Sequence, residues 1–158
     1  VGDDNPAQQL RRQLCRRKIK QERSPHSKYT LPLLFTARQK GTFKNEHMYP
    51  RPTSIYSVSK SFGEQLGYMY ATQHDMEVVC IRIGNLSVKR DKPEHPHHLS
   101  HGDGALVFEQ AITHPGVQFE IVFGVSDSNW PLYDLDHGRK VLGYYPQDFA
   151  DVPEDKRG

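Results

Sequence analysis

The chain has 158 residues, of which 35% are hydrophobic and 25% are charged. This length suits one domain, and no apolar run approaches the roughly 18 residues that a membrane-spanning helix needs. Two cysteines do not suggest a disulfide framework, and no signal peptide is visible. We therefore expect a cytoplasmic protein with no membrane partner.

Positive charge is concentrated at the beginning of the chain. Residues 1–50 contain 11 Lys and Arg against 4 Asp and Glu, whereas acidic residues dominate afterwards. This change predicts a basic N-terminal segment over 1–46, partly helical or disordered, a folded domain over 47–150 and a charged, disordered tail over 151–158. The cationic run at 10–20 could bind nucleic acid, but no aromatic residue interleaves it for stacking on bases. A solvated arm is therefore the favoured interpretation.

The first predicted strand covers residues 29–36. Its Pro32 has no backbone N–H to donate, so the strand must lie at an edge of its sheet unless the proline stands at its beginning. Nothing before Tyr56 resembles a strand followed by a glycine-rich turn and a helix. That arrangement is the one whose backbone N–H groups hold a dinucleotide pyrophosphate.

The first predicted helix follows Ser54, a suitable N-cap, and runs to about Gln73. Apolar residues recur along it at three- or four-residue spacing, which predicts an apolar face buried against the next strand. Glycines and a serine form a second stripe, where another backbone could come close. The apolar face comprises Val58, Phe62, Leu66, Met69 and Tyr70, and the small-residue stripe comprises Ser59, Gly63 and Gly67.

Tyr56 and Lys60 lie four residues apart at the start of this helix. Residues at that spacing share one helical face, so a phenol and an ammonium can point into the same small volume. A neighbouring cation favours the phenolate form of a phenol, which suits general acid/base catalysis. The pair is therefore a candidate catalytic site.

A buried strand is predicted over residues 77–84, which are rich in β-branched side chains and closed by Gly84. A helix that leads directly into such a strand is half of a βαβ unit, which predicts an α/β fold. Three further elements follow. They are a helix begun by a capping box at Ser100 and Asp103, a strand over 117–124, and a short helix over 134–142 capped by Gly143.

Four histidines lie between the predicted strand and the second helix: His95, His97, His98 and His101. Their number suggests a metal site. However, no cysteine or regular helical spacing accompanies them, and Pro93 and Pro96 keep the loop irregular. We favour a polar lid and predict no metal.

Four separated segments, in order, resemble the extended short-chain dehydrogenase/reductase superfamily, in its NAD-dependent epimerase/dehydratase branch. Within that branch they look most like uronate dehydrogenases. The resemblance implies an incomplete Rossmann-like domain, equivalent to the C-terminal half of a doubly wound parallel sheet, behind the basic N-terminal segment. The segments are Tyr-Ser-Val-Ser-Lys-Ser-Phe-Gly-Glu at 56–64, Leu-Ser-His-Gly-Asp at 99–103, Phe-Gly-Val-Ser at 123–126 and Leu-Gly-Tyr-Tyr-Pro-Gln-Asp at 142–148.

By resemblance, the activity is NAD-dependent oxidation of a small sugar acid. Tyr56 would remove the hydroxyl proton, while Lys60 would assist it and bond the nicotinamide ribose. Thr36 is the nearest hydroxyl to the position where the family bonds the reacting group. The resemblance also implies that Ile83 contacts the cofactor and that Asn85 and Arg90 contact the substrate.

The missing glycine-rich half implies that the chain alone is inactive and does not bind NAD measurably. The alternative is a non-catalytic, truncated or decayed relative that acts as a binding protein through its basic arm. A homo-oligomer formed through the helix at 56–73 is a further expectation.

Overall fold

The computed structural model describes residues 28–34, 47, 50–86 and 95–157, with the backbone alone in the first of these ranges. Thr36, Arg90 and the cationic run at 10–20, for which the sequence analysis makes predictions, lie outside these ranges. In chain order the elements are β1 (Lys28–Leu34), α1 (Ile55–His74), β2 (Glu77–Ile83), α2 (His101–Thr113), β3 (Phe119–Gly124), β4 (Asp127–Ser128), α3 (Asp136–Leu142), β5 (Phe149–Ala150) and a 3₁₀ turn (Glu154–Lys156).

A parallel three-stranded sheet forms the centre of the described structure, in the order β1-β2-β3. Parallel neighbours need a crossover between them, and α1 and α2 supply it. The predicted α/β class and the predicted strands are confirmed. Among the described strands, β1 is the outer one on one side of this sheet, and its Pro32 lies opposite Ile81. Residues 28–34 of the basic segment therefore belong to the same sheet as the rest of the chain.

Alternate residues of β2 face opposite layers, as the period of a strand requires. Val78 and Cys80 pack with Ala71 of α1 on one face. Val79 and Ile81 belong to a larger cluster on the other face, with residues of α2 and α3. The sheet is thus covered by α1 on one side and by α2 and α3 on the other. The residues from the helices in the larger cluster are Val107, Ala111 and Leu142.

The predicted apolar face of α1 is wrong as a buried face. Val58, Phe62 and Leu66 are exposed, and Phe62 keeps 64% of its surface. The sheet instead contacts a stripe of mostly small residues, which lets the helix approach it closely. Of the predicted small-residue stripe, Gly67 is buried, whereas Gly63 is half-buried and Ser59 is exposed. The buried residues of α1 are Ser57, Glu64, Gly67 and Ala71.

Glu64 is the one charged residue on that buried face of α1. Its carboxylate lies against Arg82 of β2, and the two side chains are 4% and 2% exposed. Burying either charge alone would cost several kcal/mol, so the pairing makes the close contact between helix and sheet possible.

The predicted disorder of the tail is also wrong for the described residues 151–157. Val152 is completely buried, and its backbone N–H donates to Asn129 Oδ1 at 2.8 Å. Asn129 Nδ2 donates to Asp151 Oδ1 at 2.5 Å. An apolar anchor and two side-chain hydrogen bonds therefore order a segment that composition alone marked as solvated. Within the described ranges, no helix is long and apolar enough to cross a membrane.

Candidate functional site

The carboxyl ends of β2 and β3 meet at one edge of the sheet, where Ile83 pairs with Gly124. In open α/β sheets this edge is where ligands bind. Gly84 N–H donates to Gly124 O at 2.8 Å, so the pairing continues one step beyond Ile83. Asn85 follows Gly84 directly, and Ser126 lies two positions after Gly124.

α1 begins at this same edge. Ala71, near its end, packs beside Val78 at the start of β2, whereas Glu64 contacts Arg82 near the end of the strand. Eight residues separate Glu64 from Tyr56, which corresponds to about 12 Å of helix towards the carboxyl edge. Tyr56 therefore lies beyond the end of the strand, on the side where Asn85 follows.

Tyr56 and Lys60 share one side of α1, as predicted. Lys60 Nζ lies 5.0 Å from the centre of the Tyr56 ring, and the phenol side chain is 51% exposed. Ser54 caps the helix: its side chain accepts a hydrogen bond from Ser57 N at 3.2 Å. The cap fixes the first turn, which carries Tyr56, and leaves the phenol open to a ligand.

Asn85 is held by the backbone of the 97–99 segment. Its N–H donates to His97 O at 2.5 Å, and its carbonyl accepts from Leu99 N at 3.2 Å. Asn85 and His98 thus form a parallel bridge. A Cβ on Gly84 would collide with His97 O, so only glycine allows this segment to lie across the strand end. The Asn85 residue itself remains exposed.

Tyr133 and His97 form a second polar contact beside Asn85. The phenolic oxygen lies 2.5 Å from His97 Nδ1. Burial raises the pKa of Tyr133 to about 12, so its hydroxyl stays protonated at neutral pH. Tyr133 also packs on Phe123 near the end of β3, with ring centres 5.0 Å apart. The His97 ring is therefore anchored at the carboxyl edge.

The histidine loop brings three rings together, since His95 lies 6.2 Å from His97 and 6.0 Å from His98 between ring centres. His101 is separate, at the first position of α2. No group of three His, Cys, Asp or Glu suited to a metal occurs among the described residues.

Sequence reasoning missed two residues of this edge, Ser126 and Tyr133. Ser126 hydroxyl donates to Asp103 at 2.6 Å and accepts from Ser100 N at 3.0 Å. The capping box predicted for Ser100 and Asp103 is therefore half confirmed. Ser100 Oγ accepts a hydrogen bond from Asp103 N at 2.9 Å. The Ser100 N–H, however, donates to Ser126 Oγ and not to the Asp103 side chain. The position of Ser126 just after the carboxyl end of β3 was the sequence feature that could have identified it.

The known proteins to which this chain is similar include sugar dehydrogenases. The chain is 43% identical over 103 residues to an NAD-dependent glucose-6-phosphate dehydrogenase of Haloferax volcanii, a match that covers 63% of this chain and 39% of that protein. It is 33% identical over 110 residues to a uronate dehydrogenase of Pseudomonas putida, a match that covers 67% of this chain and 40% of that protein. No family model matches the chain.

A solved structure described as a mutated uronate dehydrogenase superposes with a TM-score of 0.69 at 28% identity. The match covers 78% of this chain and 46% of that one. The chain is thus homologous to the uronate dehydrogenases and related NAD-dependent sugar dehydrogenases, and the resemblance seen in the sequence is confirmed. It spans about 40% of the length of the curated relatives that it matches.

Proposed function

We propose that this chain carries the catalytic and substrate-binding half of an NAD-dependent oxidoreductase that acts on a sugar acid. The observation that supports this most is the Tyr56–Lys60 pair beside the carboxyl edge of a parallel sheet, with Asn85 following the adjacent strand. A phenol exposed at that edge can reach a ligand, and the Lys60 ammonium lies 5.0 Å from the centre of its ring.

In this mechanism Tyr56 accepts the proton of the sugar hydroxyl that is oxidised. Lys60 stabilises the negative charge that develops on the phenol oxygen. Asn85 orients the sugar from the end of β2 by hydrogen bonds from its amide. Thr36 and Arg90, outside the described residues, are proposed to bond the reacting oxygen and the substrate carboxylate.

NAD, when bound, supplies the hydride acceptor. The described residues fit its nicotinamide end: Lys60 can bond the ribose hydroxyls, and Ile83 provides an apolar residue at the strand end. The pyrophosphate end needs a glycine-rich turn after a strand, and the described part of the chain offers none. We therefore expect the 158-residue chain to show no measurable NAD binding in calorimetric titration.

A chimera tests the proposal directly. Residues 50–157 would replace the corresponding part of the Pseudomonas putida uronate dehydrogenase, and NADH formation would be followed with D-glucuronate, D-galacturonate and glucose 6-phosphate. Loss of a positioned proton acceptor lowers rates by about 10²–10⁴-fold, so Tyr56→Phe should do the same. Tyr70→Phe, an exposed tyrosine of the same helix, is the matched control. An active chimera that tolerates Tyr56→Phe would exclude Tyr56 as the catalytic group.

The exposed apolar face of α1 supports a partner for this helix. Val58, Phe62 and Leu66 form a continuous stripe that a monomer leaves in water. We propose a homo-oligomer in which this stripe packs on a second copy. Phe62→Glu should then reduce the mass in sedimentation experiments, whereas Ile112→Glu, an exposed apolar residue of α2, should not.

The second candidate function is a non-catalytic binding protein that acts through the basic arm. The cationic run at 10–20 supports it, and its structure lies outside the described residues. Gel-shift titrations at low and physiological salt, with the full chain and with residues 49–158, test it. Binding through the arm must weaken steeply with salt and be lost in the shorter chain.

A further inference from the structure

Asp103 is a completely buried carboxylate at the third position of α2. It accepts three hydrogen bonds: from Gln147 N on Oδ1 at 2.6 Å, and from Ser126 Oγ and Asp148 N on Oδ2 at 2.6 and 3.2 Å. The positive end of the helix dipole also favours an anion there. The carboxylate is therefore a fixed acceptor to which separate parts of the chain are attached.

Ser126 holds the segment before α2 at two points. Its backbone N–H donates to His98 O at 2.8 Å, and its hydroxyl oxygen accepts from Ser100 N at 3.0 Å. The same hydroxyl donates its hydrogen to Asp103. This bond fixes the orientation of the hydroxyl, so that a lone pair of Ser126 Oγ faces Ser100 N. Asp103 thus orients the hydroxyl attachment to Ser100 N.

The segment held in this way is the one that fixes Asn85. His97 and Leu99 make the two backbone hydrogen bonds to Asn85, and His98 lies between them. We propose that Asp103 is a positioning residue for the sugar site, which acts through Ser126 to hold the 97–99 segment, and with it Asn85, at the carboxyl edge of β2. The sugar part of this inference rests on the proposed function.

Removing the Ser126 hydroxyl has a specific consequence. Ser100 N loses its acceptor, and Asp103 Oδ2 keeps only the longer bond from Asp148. Leaving such buried groups unsatisfied is costly, so the local structure should rearrange to find other partners. The segment at 97–99 then loses one of its two attachments to Ser126, while the interior of the sheet keeps its contacts.

Amide hydrogen exchange, measured by NMR on the full chain, tests the positioning role. In Ser126→Ala we expect the Asn85 and Leu99 amides to exchange at least tenfold faster, with Val79 unchanged within twofold. Ser128→Ala removes a buried serine hydroxyl outside this network and should change neither amide. Ser126→Thr keeps a hydroxyl and should restore most of the protection.

Two results would overturn the inference. Unchanged exchange at Asn85 and Leu99 in Ser126→Ala would show that the hydroxyl does not hold the segment. An equal increase at Val79 would show that it supports the whole fold instead of positioning one segment.

The substrate arm uses D-glucuronate and glucose 6-phosphate as probes, titrated into the full chain while the Asn85 amide shift is followed. We expect Ser126→Ala to weaken binding at least fivefold and Ser128→Ala to leave it unchanged. Equal affinities in both variants would exclude a role in sugar positioning. No response of the unaltered chain to either sugar would remove the proposed sugar site, while the exchange result would still decide whether the Ser126 hydroxyl that bonds Asp103 holds the segment.

Discussion

Arg82 donates two hydrogen bonds to Glu64, from Nε to Oε1 at 2.8 Å and from one terminal nitrogen to Oε2 at 3.1 Å. This bidentate pair lies between α1 and the sheet, about two helical turns from Tyr56. It fixes how far α1 extends past the end of β2, because the two charges have to meet.

Glu64→Ala should therefore destabilise the fold by about 3–5 kcal/mol, since it leaves the Arg82 charge buried without its partner. Urea unfolding measures the change, and Gln65→Ala, an exposed neighbour on the same helix, should fall within about 0.5 kcal/mol of the unaltered chain. The double variant Glu64→Leu/Arg82→Met removes both charges and should recover most of the loss. A cost below about 1 kcal/mol for Glu64→Ala would contradict a buried ion pair.

Gly84→Ala should be destabilising because the new methyl group would overlap His97 O and lie 2.7 Å from Val125 Cγ1. The expected cost is about 1–3 kcal/mol, as for other overpacked sites. Gly104→Ala is the control: the nearest atom to its added methyl is 3.6 Å away, and removing a helical glycine should stabilise by up to about 1 kcal/mol. Thermal unfolding of the two variants should therefore shift in opposite directions.

Cys80 should be inert to thiol reagents in the folded state. Burial, and then the negative charge of Glu64, raise its pKa from 9.0 to about 12 against the opposing effect of Arg82. At pH 8 the Cys80 thiol is then ionised in about one molecule in ten thousand. In a Cys15→Ser background a chromogenic disulfide reagent should label Cys80 in urea within minutes and leave it unlabelled in buffer.

The same shift predicts an alkaline loss of stability. The pKa of the Cys80 thiol rises on folding, so its contribution to the free energy of unfolding is complete below pH 9. This contribution is lost as the pH rises towards 12. Urea midpoints measured between pH 8 and 10.5 should fall more steeply for the unaltered chain than for Cys80→Ala, which has no thiol to titrate. Parallel curves would contradict this contribution of Cys80.

Val152→Ala should destabilise the fold although it lies in a charged tail. Its side chain is completely buried, and removing two methyl groups costs about 2 kcal/mol. Glu154→Ala, exposed two residues later, should have almost no effect. If both variants unfold at the same urea concentration as the unaltered chain, the tail does not pack as described.

Local signals were sufficient for much of the fold. Ser54 and Ser100 cap the two long helices as their sequence positions predict, and Gly143 ends α3 with a φ of 66°. The spacing of Tyr56 and Lys60 also predicts their shared face. Each of these features depends on residues within four positions of each other, so the sequence contains the whole interaction.

The failures involve partners that are distant in sequence. Hydrophobic periodicity predicted that the Val58 side of α1 is buried, because it assigns a charged residue such as Glu64 to the solvent-exposed face. Arg82, 18 residues later, makes the burial of Glu64 possible. The roles of Ser126 and Tyr133 likewise depend on contacts 23 and 36 residues away. No pattern within a single helix or strand reveals these pairs.

The hydrogen bonds of Asp103 also impose an order on folding. Gln147 and Asp148, which supply two of its three donors, are 44 and 45 residues further along the chain. During synthesis, α2 leaves the ribosome well before these amides exist, and the carboxylate must stay hydrated until they arrive. The edge of the sheet that carries Asn85 is consequently completed late, and a nascent chain that stops short of Gln147 lacks β5 and two of the three donors to Asp103.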